Sequence, residues 1–173
     1  MNPEMRLLPA RENLRRVHGA GATDLDVSGI DMMLHLINAV DIIRATIYES
    51  LRKETGLSEG KFTLMMALRD ANRPLSIGTI SAQLGVAPAT ISVMVGRMLR
   101  EDRPLISTST SDRDARSTLV RLSPAGKRLL DKSLPAHYRR IAEFTEGVNQ
   151  DEREQLIALI RKLVRRPEAD PQD

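Results

Sequence analysis

Residues 76–100 read SIGTISAQLGVAPATISVMVGRMLR. The run opens with a short amphipathic helix, Ser76–Leu84, that puts Ile77, Ile80 and Leu84 on one side. Gly85-Val86-Ala87 supplies a tight turn. Pro88 then stands at a first helical position, where its missing N–H has no intrahelical partner to lose. A second helix runs to about Arg100 and buries Ile91, Met94, Val95, Met98 and Leu99. Its opposite face presents Ala89, Thr90, Ser92, Val93, Gly96, Arg97 and Arg100.

Immediately downstream the period changes. Leu105–Thr110 is β-branched and hydroxyl-rich, and Ser117–Leu122 alternates with period two. Between them Ser111-Asp112-Arg113-Asp114-Ala115-Arg116 forms a charged turn, so the pair reads as a hairpin with a basic tip. Short helix, turn, second helix and charged hairpin is the order of a winged helix–turn–helix. The dimensions suit a duplex: a helix about 10–12 Å across enters the major groove, and a thin hairpin tip enters the minor groove. On the second helix small and hydroxyl side chains let the backbone approach, Val93 can meet a thymine methyl, and Arg97 can reach guanine or phosphate. Arg113 and Arg116 carry positive charge to a minor groove, with Asp114 as a partner that orients an arginine.

Working outward, Ser28–Thr55 reads as one long helix with Met33, Ile37, Val40, Ile43, Ile47 and Leu51 at three- and four-residue intervals. A rod of about 35–40 Å exceeds what a small domain needs internally, so its stripe is expected to meet a second copy. Gly56 ends it, Ser58 caps the next helix, and Phe62, Met65, Met66 and Leu68 face inward before Asn72-Arg73-Pro74. Ser123-Pro124 opens a helix to about Gly147 that Pro135 should kink or divide. Asn149 and Glu152 form a capping box for a last helix to about Arg165.

Composition narrows the chemistry. The chain has 173 residues, 41% hydrophobic and 28% charged, which supports a packed core. With no cysteine there is no disulfide, thiolate zinc site or cysteine redox switch. Three scattered histidines offer little to a metal, and 2% aromatics give no stacking platform for single strands. The net charge of +3 permits an anionic partner. No apolar run spans a membrane, and no secretory signal is visible, so a cytoplasmic location is expected. No nucleophile–base pair, phosphate-cradling glycine loop or paired carboxylate suits catalysis, and neither enzyme activity nor a cofactor is expected.

The run Thr79–Ser92, followed by Arg113-Asp114-Ala115-Arg116 and Leu119-Val120-Arg121-Leu122-Ser123-Pro124-Ala125-Gly126, resembles the MarR family of bacterial transcription regulators over about residues 28–165. Ser111, Pro104 and Thr108 depart from that family's wing pattern, and Val93 and Gly96 stand at positions where it often carries polar residues. The resemblance implies an obligate homodimer, knit by the first and last helices, on a pseudo-palindromic operator in double-stranded DNA. It also implies repression relieved by a small aromatic or phenolic anion.

The expected fold is mainly α with a small β-hairpin wing. Residues 1–24 form a partly disordered arm, 25–57 and 127–166 the dimerisation helices, 58–126 the DNA-binding lobe, and 167–173 a disordered tail. Expected DNA contacts are Ser76, Ala89, Thr90, Ser92, Val93, Arg97, Arg100, Arg113, Asp114 and Arg116. His35, Phe62, Thr63, Met66 and Arg69 are candidate effector contacts, each with a plainer reading as core, seam or solvated charge. The alternative function is a winged-helix module for protein–protein assembly, against which Arg97, Arg100 and the two wing arginines argue.

Overall fold

The structure is a computed structural model and describes residues 12–14, 26–110 and 118–164. Helix α1, Val27–Thr55, starts at Asp26, whose carboxylate accepts the Ser28 N–H. It ends at Gly56, whose φ of 72° only glycine adopts without strain. The stripe predicted on α1 has two fates. Ile47 and Leu51 enter the core, while Met33, Ile37, Val40 and Ile43 stay exposed. Helix α2, Glu59–Ala71, is capped by Ser58 and stops at Asn72, which takes the left-handed conformation. Arg44 of α1 donates to Glu59 at 2.8 Å and ties the two helices at the surface.

Strand β1 is Leu75–Ser76, followed without a break by helix α3, Ile77–Leu84, and then helix α4, Pro88–Leu99. Strands β2, Ile106–Thr110, and β3, Thr118–Leu122, pair antiparallel, with Ile106 opposite Leu122 and Thr110 opposite Thr118. The expected hairpin is therefore one part of a three-stranded sheet in the order β1-β3-β2. β1 was not anticipated: two residues carry no period, and the strand exists because Leu75 pairs with Val120 and Ser76 with Leu119. Ile80, Ile91, Met98, Ile106, Val120 and Leu130 are fully enclosed, so α3, α4, the sheet and the following helix share one core.

Helix α5, Pro124–Glu143, runs through Pro135 as one helix, so of the expected kink or division the division does not occur. Pro135 is exposed, and so is Asp131, whose carbonyl the missing N–H would have engaged. On an exposed face water hydrates a freed carbonyl and offsets part of the lost hydrogen bond. The helix ends earlier than expected because Thr145, Glu146 and Val148 donate to carbonyls three residues back. Helix α6, Gln150–Val164, begins with a reciprocal capping box: Glu152 N–H donates to Asn149 Oδ1 at 3.0 Å, and Asn149 N–H to Glu152 Oε2 at 2.8 Å.

The chain divides into two compact units, Met1–His137 and Tyr138–Asp173. In the first, Phe62 packs against His137 with ring centroids 4.6 Å apart and edge-on to Tyr48 at 6.4 Å. In the second, α6 buries none of its residues and exposes Leu156, Ile157, Leu159, Ile160 and Leu163. Among the described residues, no single helix is long and apolar enough to cross a membrane.

Candidate nucleic-acid interface

Helices α3 and α4 meet at a bend of 114°, within the range of a helix–turn–helix. Two features fix that angle. Gly85 adopts φ 63°, and Ser81 clasps the turn from both sides: its Oγ donates to the Val86 carbonyl at 2.6 Å, and its carbonyl accepts the Val86 N–H at 3.2 Å. Ile91, Val95 and Met98 anchor α4 from beneath. Its outer surface then presents Ala89, Thr90, Ser92, Val93, Arg97 and Arg100, all exposed, with Gly96 half-buried. Val93 is 53% exposed at the centre of this face.

The electrostatics of this face are uniformly favourable to an anion. The α4 N-terminus has no acidic residue in its first turn and no side-chain cap, so the positive end of the helix dipole is uncovered. Glu101 would offset Arg100, but its carboxylate is held by Lys61. Neither Arg97 nor Arg100 has a carboxylate partner among the described residues.

Ser76 is half-buried, and its Oγ accepts the Thr79 N–H at 3.1 Å as the α3 cap, so this hydroxyl is already engaged within the chain. Arg113, Asp114 and Arg116 lie outside the described residues. Thr110 and Thr118 pair where the hairpin leaves the sheet.

The effector candidates are not brought to one place. His35 Nδ1 donates to the Asp31 carbonyl of its own helix at 2.9 Å. Phe62 is buried in the aromatic cluster described above. Thr63 and Met66 line a shallow depression of about 450 Å³ with Asp70 and Gln83. Arg69 reaches Asp131 at 3.4 Å and lines a different cleft, at the root of the hairpin. That cleft also collects Arg73, Arg121 and Lys127, of which Arg121 and Lys127 escaped the sequence reading. Each is an ordinary surface cation in its own segment, and only tertiary structure gathers them.

No protein-family model matches the chain. Among curated proteins it is 30% identical over 131 residues to the HTH-type transcriptional repressor NicR of Pseudomonas putida, covering 75% of this chain and 80% of that one. Among solved structures, Bordetella bronchiseptica BpsR, whose DNA binding is regulated by 6-hydroxynicotinic acid, is similar with a TM-score of 0.65 and 24% identity. It covers 78% of this chain and 99% of its own. A MarR family transcriptional regulator from Streptomyces coelicolor, solved in complex with DNA, matches with a TM-score of 0.74 at 15% identity. That match spans 88% of this chain and 97% of the other.

Proposed function

The chain belongs to the MarR family of winged helix–turn–helix transcriptional regulators, and from that membership we propose that it is a homodimeric repressor released from its operator by a small aromatic anion. DNA binding is favoured over a purely protein–protein role by one observation above all. The outer face of α4 is small, hydroxylated and cationic beside a 114° bend, and no carboxylate neutralises it among the described residues. Ala89, Thr90, Ser92 and Val93 approach the floor of a major groove, with Arg97 and Arg100 at base edges or phosphates. Ser76 flanks that face at the start of α3. Arg113 and Arg116, oriented by Asp114, take the minor groove.

Residues 25–57 and 127–166 form the dimer seam, which accounts for the exposed apolar stripes of α1 and α6. Two lobes on a two-fold axis read half-sites about 10 bp apart or a multiple of that. The protein acts in the cytoplasm on a pseudo-palindromic duplex. Release is a shift between dimer arrangements: the ligand binds best where the two α4 helices no longer match the groove spacing, and equal affinity for both arrangements would release nothing.

The test is a gel shift on the protein's own promoter across a salt series, with 6-hydroxynicotinic acid as the first probe. Phosphate contacts release counterions, so affinity should fall steeply as salt rises. Arg116→Ala should weaken binding to many sequences alike, and Arg97→Ala should change the preference among them. Salt-independent binding, or none at any duplex, returns the chain to the assembly-module reading.

A further inference from the structure

The four cations of the cleft at the hairpin root come from four separate segments. Arg69 comes from α2, Arg73 from the loop before β1, Arg121 from β3 and Lys127 from the first turn of α5. Among the described residues, no carboxylate lines it. Asp131 answers Arg69 from outside, but Arg73, Arg121 and Lys127 have no carboxylate partner among the described residues. Folding has thus gathered like charges that repel one another, and an anion between them would relieve that repulsion.

The floor is apolar: Leu68, Pro74, Leu122 and Pro124 share the lining with the cations. At about 560 Å³ the cleft falls within the size range of small-molecule sites. One cation is also oriented. Arg121 Nε donates to Ser107 Oγ at 3.3 Å, which fixes the guanidinium while leaving its terminal nitrogens for another acceptor.

Duplex DNA is the wrong occupant by position. Ser107 and Arg121 pair one step from the Ile106–Leu122 end of the ladder, whereas the tip leaves from Thr110 and Thr118. Those ends lie about 13 Å apart at strand rise. Neither α3 nor α4 contributes a lining residue. We propose that this cleft is a binding site for a small organic carboxylate. Arg73, Arg121 and Lys127 hold the carboxylate and the leucine–proline floor holds its apolar body. The site is distinct from the Thr63–Met66 depression, and it rests on the ligand-responsive reading above only for its regulatory meaning.

The experiment is a titration of the full-length chain with benzoate, followed by the N–H signals of the backbone and of the arginine Nε groups. Inorganic phosphate at matched ionic strength is run in parallel. Saturable shifts centred on Arg73, Arg121, Ser107 and Lys127 are expected, with phosphate weaker. Arg121→Gln combined with Lys127→Gln should weaken benzoate at least about tenfold. Both positions are exposed and their charges repel, so the unfolding temperature should not fall. Arg73→Gln alone serves as the second variant, with a smaller loss expected.

Unsaturable shifts, equal affinity for phosphate, shifts centred on His35 or Thr63, or variants that bind as the parent does would each overturn the site. So would an operator affinity that falls in the double variant while benzoate shifts nothing, since the cleft would then be a DNA-backbone contact. Benzoate binding that leaves operator affinity unchanged would overturn benzoate-controlled release and leave the site standing.

Discussion

Gly126 occupies a position where no side chain fits. A Cβ there would stand 2.0 Å from the Leu105 carbonyl oxygen. The approach is enforced on three sides. Ser123 N–H donates to Leu105 O at 3.0 Å, Ser123 Oγ donates to Pro104 O at 2.8 Å, and Gly126 N–H donates to Ser123 Oγ at 3.0 Å. Gly126→Ala must therefore push the start of α5 away from the strand entry, at about 2–3 kcal/mol. Urea unfolding should show a lower midpoint, and an unchanged midpoint would mean the backbone has room the geometry denies. The glycine was visible in the sequence as part of a family pattern, but its reason was not, because Leu105 lies far upstream. Ile91, Val95 and Met98 were legible as core from their spacing alone. Arg121 and Lys127 were not, since nothing local marks a cation that will face three others.

Elements were legible wherever their ends carry distinctive chemistry. Ser58, Gly56, Gly85, Pro88 and the Asn149–Glu152 box each mark a helix boundary within a residue or two of its observed place. The capping box supports the element least protected by packing, since α6 buries nothing in the protomer. Asn149→Ala should cost about 1 kcal/mol and speed amide exchange in the first turn of α6, with α2 unaffected. Equal exchange in parent and variant would assign the start of α6 to some other contact. In α5 the division offered as one outcome at Pro135 does not occur. A proline inside a helix reads as a break when its neighbours are unknown, yet here the orphaned carbonyl is on the exposed side. The two residues of β1 were invisible for the opposite reason: pairing with β3, not local pattern, makes them a strand.

At the scale of the whole molecule, the distribution of apolar surface indicates what the protomer lacks. Ile37 is 55% exposed on α1, and α6 presents a row of aliphatic side chains with no cover. A proposed two-fold assembly covers them. Ile37→Asp changes a side chain the folded protomer does not need, so the variant should keep its helicity while sedimenting at half the parent's mass. Its affinity for a two-half-site duplex should fall toward that for a single half-site. A variant that still sediments as the parent does would move the seam elsewhere.

Ser76 belongs to two elements at once. It is the last residue of β1, paired with Leu119, and its hydroxyl caps α3. No linker separates the sheet from the helix, and only Gly85-Val86-Ala87 separates that helix from α4. A rotation of the hairpin sheet is therefore passed along the chain to α4, with no slack to absorb it. The helix and the hairpin proposed above to enter the grooves are thus joined as a single tool head on one handle. Under the proposed release mechanism that head is repositioned as a unit, so labels placed within one lobe should keep their mutual distances while labels across the proposed two-fold axis change theirs.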